Sequence, residues 1–256
     1  MRRLIKAELL KLTTTRMLLW STLALILLQG LTILAALLFA SEEGRFVLTS
    51  EFTQRTVLSS GGTYGVIVIL LGIMGMTSDY RHGTITPTLL VAPWREQVVM
   101  AKIVVHALAG LMLGLLSTAL TLAIALPGLA ARGAELVLSG GDMVAIFGGG
   151  LLYFTLAGAF GLGVGALVRN QVAALAAVLV LFFIVENILV TLVPEAARWL
   201  PGQAASALYF PGPPAPEGTG LGAIVLSQPA GGALFAIYAG ILCIAGILVT
   251  RARDIT

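Results

Sequence analysis

The chain has 256 residues, 58% of them hydrophobic and only 11% charged, and its mean hydropathy is +1.01. Average globular chains are about 25% charged, so a water-soluble domain of this size would lack the polar surface to cover itself. The formal charge of +3 is dispersed at the borders of apolar stretches and forms no stripe, which argues against a nucleic-acid-binding module.

Residues 2–16 have the pattern of an interfacial helix. Leu4, Ile5, Leu9 and Leu12 share one face at helical spacing, Lys6 and Thr13 lie off it, and Glu8 and Lys11 are close enough to pair. The same residues also fit an ordinary basic flank that sets topology. Met17 to Ala40 follows without a charge. That run is longer than the roughly 7–15 apolar residues of a secretory signal, so it is read as a retained span. Further uncharged stretches run Thr56 to Ser78, Ile103 to Ala131 and Met143 to Val168, and two more spans are expected at 172–193 and 231–250. Each is near or above the ~20 residues that cross a hydrocarbon core. The predicted architecture is an all-α integral membrane protein. It forms a single domain of six spans, at 17–40, 60–78, 103–126, 143–168, 172–193 and 231–250.

With the N-terminus inside, eleven basic residues fall on the inner side and four, Arg45, Arg55, Arg132 and Arg198, on the outer side. That asymmetry predicts N-in and C-in. Arg outnumbers Lys twelve to three, a composition that suits a GC-rich bacterial genome and hence a bacterial cytoplasmic membrane. The longest inside connection is 79–102. The longest outside connection is 194–230, which contains Pro211-Gly-Pro-Pro-Ala-Pro216 and an apolar patch, Gly220 to Leu226, too short to span. Glycines recur within the spans, with Gly158, Gly161 and Gly165 on one face of the fourth. This fits close packing within the chain, and also a pore lining or a subunit contact.

Several chemistries lack their residues. A Walker A loop needs Gly before its lysine, and none of Lys6, Lys11 and Lys102 follows one. The sequence contains no H-E-x-x-H and no G-x-S-x-G, and His82 and His106 are isolated. Ser139-Gly140-Gly141-Asp142 comes near the G-x-G-D of intramembrane aspartyl proteases, but serine replaces the first glycine, and Asp79 precedes rather than follows Tyr80. Cys243 is the sole cysteine, which excludes an intramolecular disulfide and a thiolate metal cluster. No catalytic, cofactor or metal site is expected in this chain.

The inside connection carries the most specific pattern. It reads Ser78-Asp-Tyr-Arg-His-Gly-Thr84, then Thr88-Leu-Leu-Val-Ala-Pro93, then Trp94-Arg-Glu-Gln-Val-Val-Met-Ala-Lys102. With the opening Glu8-Leu-Leu-Lys11-Leu12 and the outer-loop Leu200-Pro-Gly, this resembles the permease subunits of ABC type-2 exporters. Asp79 stands where that family more often has glutamate. The resemblance implies a type V ABC exporter fold and a dimer with a second permease copy or homologue. It also implies a separate cytoplasmic ABC ATPase that holds ATP and Mg, and alternating access that expels an apolar or amphipathic substrate. Asp79, Arg81, Gly83, Thr84, Pro93 and Arg95 would then form the ATPase coupling segment, and Glu8 and Lys11 belong to the interfacial helix. Gly83 permits a sharp turn, Thr84 suits a helix cap, and Pro93 would end a helix of about eight residues. A purely topogenic loop is the competing reading of this segment.

Glu186 is the one clear acid within a span, in Phe182-Phe-Ile-Val-Glu-Asn187. An ionised acid near mid-helix costs about 2.5–3.5 kcal/mol on insertion scales, so it should face protein or water. Phe182, Phe183, Glu186 and Asn187 are candidates for a translocation path. The alternative for Glu186 is a structural hydrogen bond to a neighbouring helix. At the level of the whole chain, an ion-coupled transporter or channel subunit and a non-transporting membrane scaffold are the rival functions.

Overall fold

The computed structural model describes residues 1–40, 47–83, 95–212 and 226–252. Helices account for nearly all of them, and there is no strand among the described residues. Six helices are long and apolar enough to cross a membrane: Met17–Leu38, Glu51–Arg81, Glu96–Ala131, Gly140–Val168, Gln171–Leu192 and Gln228–Arg251. Even-numbered crossing puts both termini at one end of the bundle, called here the terminal end.

The first helix, α1 (Arg2–Thr14), precedes the spans and packs on the bundle at the terminal end. Its buried residues are Glu8 and Leu12, with Leu4 and Ile5 half-buried, while Leu9 is 47% exposed. The protein-facing stripe is thus centred on an acid, and Leu9 lies off it. The first span is α2 (Met17–Leu38). The second is broken into α3 (Glu51–Thr63) and α4 (Gly65–Arg81), with Tyr64 at the break hydrogen-bonded through its hydroxyl to Thr32. Its helix begins at Glu51, earlier than the apolar stretch, because Arg55 is buried and its charge is met within the fold. The Arg55 guanidinium donates to Glu51 and Asp142 at 2.8 Å each and to the Pro211 carbonyl at 2.5 Å.

The third span, α5 (Arg95–Ala131), has 37 residues and passes through Pro127. At 1.5 Å per residue it is about 55 Å long, well beyond a ~30 Å hydrocarbon core. The fourth, α6 (Gly140–Val168), is the central helix, packed on α4, α5 and the last span. Its start is a capping box: Ser139 accepts from the Asp142 N–H and Asp142 accepts from the Ser139 N–H. Asp142 therefore sits at the opposite end of the bundle from Asp79, which precludes an aspartyl dyad. Gly158 and Gly161 lie against the His106 and Ile69 carbonyls, where a Cβ would collide. These glycines serve close packing within the chain.

The fifth span comprises α7 (Gln171–Val180), a π-helical turn at Leu181–Val185, and α8 (Glu186–Leu192). Two short helices follow, α9 (Pro194–Ala197) and α10 (Pro201–Tyr209), and the last span is α11 (Gln228–Ala252). The connection between the fifth and sixth spans thus holds a buried helical piece, α10, with Pro201, Ala204, Ala205, Ala207 and Leu208 packed on α6 and α11. Pro201 occupies the first turn, where its missing N–H costs nothing. The Gly220–Leu226 patch lies outside the described residues apart from Leu226, as does most of the proline-rich stretch.

Candidate functional site

The densest polar cluster in the bundle lies at the terminal end, where α1, α4 and α5 meet. Lys102, two turns into α5, is 1% exposed. Its Nζ reaches Glu8 Oε2 at 2.6 Å, Asp79 Oδ2 at 2.7 Å and the Gly75 carbonyl at 3.2 Å. Lys11 is 40% exposed and lies 3.1 Å from Glu8 and 3.4 Å from Asp79. Two carboxylates and two ammonium groups thus balance beside a cavity of about 350 Å³ lined also by Ser78, His82 and His106, and such a cluster is tolerated only because each charge is met. Burial works to lower the Lys11 pKa, but the Glu8 and Asp79 carboxylates outweigh it, so the pKa lies above its ordinary 10.5. One turn further along α5, His106 Nδ1 bonds the Lys102 carbonyl at 2.8 Å, and the ring packs against Gly75, where a Cβ would strike Nε2.

The residues that follow Asp79 tie α4 to a second place. Tyr80 lies beneath the Arg169 guanidinium, 5.0 Å from its centroid. Arg169 has φ 54° and ends α6 in the left-handed conformation. Arg81 donates to Gln171 Oε1 at 3.4 Å, at the exposed start of α7. Three consecutive residues thus contact α1 and α5, the α6–α7 turn, and α7. Gly83 then leaves the helix with φ +66°, a value suited to glycine. Thr84 and Pro93 lie outside the described residues, as does the expected helix between them. Arg95 opens α5, and its side chain also lies outside the described residues.

The two groups of candidates expected separately, Glu8 and Lys11 on one hand and Asp79 on the other, therefore form one cluster. Lys102, which closes the Ala-Lys end of the coupling pattern, is its hub. The signal for Lys102 was compositional: it is the only lysine after residue 11, placed where an apolar helix begins.

At the far end, Glu186 is 1% exposed and its Oε1 accepts the Gly202 N–H at 2.8 Å. The acid in the fifth span thus caps the N-terminus of α10, where unpaired N–H groups and the helix dipole favour a carboxylate. Phe182 is half-buried against Phe160. Phe183 is 54% exposed, and the exposed Asn187 amide donates to the Phe182 and Phe183 carbonyls beside the π-helical turn. The four residues do not share one face: Phe182 and Glu186 turn inward, Phe183 and Asn187 outward.

No curated protein matches the chain. The model of the family described as ABC-2 family transporter protein matches residues 4–194, which include Glu8, the whole 79–102 segment and Glu186. With six apolar helices of spanning length, the chain belongs to the ABC-2 family of transporter membrane proteins.

Proposed function

We propose that the chain is the permease subunit of an ATP-driven exporter, and that a separate cytoplasmic ATPase docks on residues 79–102. In this reading the terminal end is cytoplasmic, in a bacterial inner membrane. A second permease copy or homologue completes a type V dimer that moves an apolar or amphipathic substrate by alternating access. ATP and Mg belong to the partner, and ATP binding and hydrolysis there supply the free energy.

The observation that carries the proposal is the pinning of both flanks of the 84–94 segment to each other and to α1. Asp79 precedes the segment, Lys102 follows it, and the two are 2.7 Å apart. Glu8 shares the same lysine at 2.6 Å. A displacement imposed between these flanks is carried into α4 and α5 together and takes α1 with them. Through Tyr80 and Arg81 it also reaches the connection between the fourth and fifth spans. Such contacts couple to transport to the extent that they differ in free energy between inward-facing and outward-facing states. A merely topogenic loop needs positive charge but no ion cluster built around a buried lysine.

The test is association of a co-expressed ATPase with the permease and its Gly83→Pro and Arg95→Glu variants. Proline cannot adopt φ +66° and lacks the N–H that Gly83 donates to the Tyr80 carbonyl. Both variants should insert in the membrane yet retain little ATPase. Unchanged association together with unchanged transport in both would overturn the coupling assignment.

A further inference from the structure

The charges of α1 are sorted by side. Glu8 is the only acid in residues 1–40, and it is turned inward and spent on Lys102 and Lys11. Arg2, Arg3, Lys6 and Arg16 are all exposed, and among the described residues none of them has an ion-pair partner. Arg2, Arg3 and Lys6 fall within the first turn and a half, on the side of α1 away from the bundle. Leu9 and Leu10, at 47% and 63% exposed, continue that outward surface, and Trp20, 64% exposed, stands one turn beyond Arg16 on α2. An exposed tryptophan at a span end marks the headgroup level. The outward surface of α1 thus combines cations that have no ion-pair partner among the described residues with exposed leucines, close to the tryptophan that marks the headgroup level.

We infer that this surface binds anionic phospholipid, with Arg2, Arg3 and Lys6 taking headgroup phosphates and Leu9 and Leu10 entering the acyl boundary. A neutral zwitterionic surface offers the leucines the same cover but does not balance the cations. An acidic soluble partner balances the cations but leaves the leucines and Trp20 uncovered. Anionic lipid satisfies both, and amphipathic helices of this composition gain from both terms. The inference rests on the membrane location of the chain and is independent of any ATPase.

Trp20 supplies the readout. The full chain carrying Trp94→Phe and Trp199→Phe is reconstituted into vesicles mixing phosphatidylglycerol and phosphatidylcholine, with one lipid brominated to quench fluorescence. Interaction with an anionic surface is worth about a factor of five per basic residue. The phosphatidylglycerol preference sensed at Trp20 should therefore be about fivefold or more. It should fall towards unity in R2Q/R3Q/K6Q and persist in R2K/R3K/K6R. Should the neutralised chain fail to insert, the same loss is read from the unmutated helix at molar salt, which screens surface charge. A preference of unity in the starting protein would overturn the inference. So would a preference that survives both neutralisation and salt, or cations that are lost without effect on lipid but with loss of ATPase binding.

Discussion

Lys102→Met removes the hub of the buried cluster while keeping an unbranched chain of similar length. Of the cluster's two ammonium groups Lys11 then remains, 40% exposed and 3.1 and 3.4 Å from the two carboxylates. Breaking a buried pair by deleting one partner costs about 3–5 kcal/mol. Lys11 keeps the cost near the lower end, about 3 kcal/mol, which corresponds to a melting shift of about 6–12 °C for a chain of this size. The pocket then carries one excess negative charge, so Glu8→Gln added to Lys102→Met should restore part of the loss. Contacting charges in such cycles couple by about 0.5–3 kcal/mol. The assay is thermal unfolding of the purified protein for the wild type, the two single variants and the double variant. A Lys102→Met protein that melts with the wild type would refute the charge-balance reasoning, as would a double variant less stable than Lys102→Met.

The raised pKa of Lys11 has a defined sign. Its contribution is fully present below the unfolded value of 10.5 and is lost as pH rises through the higher folded value. A melting titration should show that loss beyond pH 10.5 in the wild type and not in Lys11→Met, and a loss centred well below 10.5 would contradict it. At the far end, Glu186→Gln keeps an acceptor for the Gly202 N–H and should leave stability and hydrogen exchange of 202–209 nearly unchanged. Glu186→Leu leaves that N–H without its partner at a cost of about 1–3 kcal/mol and should speed exchange there. Equal behaviour of the two would remove the capping role. Topology is read by cysteine labelling in a Cys243→Ser background. Glu195→Cys, whose native side chain is 67% exposed, should react with an impermeant reagent from outside, and Arg251→Cys only after permeabilisation. The reverse pattern would invert the orientation.

Local pattern made part of this protein legible. Long apolar runs mark the six spans, five of them without a charge over most of their length, because lipid imposes a length and a composition together. The Glu8–Lys11 pair follows from helical spacing alone, and it forms at 3.1 Å. Lys102 pairs with Glu8 across 94 positions, and no local pattern encodes such a contact. The apolar spacing groups Leu9 with Leu4, Ile5 and Leu12, but a buried acid at position 8 rotates the packed stripe and turns Leu9 outward. Helix ends were hidden where polar residues are satisfied by the fold. Arg55 breaks the apolar run, yet it sits within α3 because Glu51, Asp142 and the Pro211 carbonyl meet its charge. The half-helix α10 is too short to register as a span. Its signals, Pro after Leu200 and an acid in the preceding span, acquire meaning only once Glu186 is seen to cap it.

In the proposed function, force applied at residues 79–102 passes into the bundle through the Glu8–Asp79–Lys102 cluster. ATP turnover of the co-purified ATPase, reconstituted with wild-type or Lys102→Met/Glu8→Gln permease and a transported amphipathic probe, tests it most directly. The double variant keeps charge balance and so should assemble, but it lacks the direct link between α4 and α5. ATPase association should be normal, with substrate-stimulated turnover and probe export both reduced. Wild-type stimulation and export in that variant would contradict it.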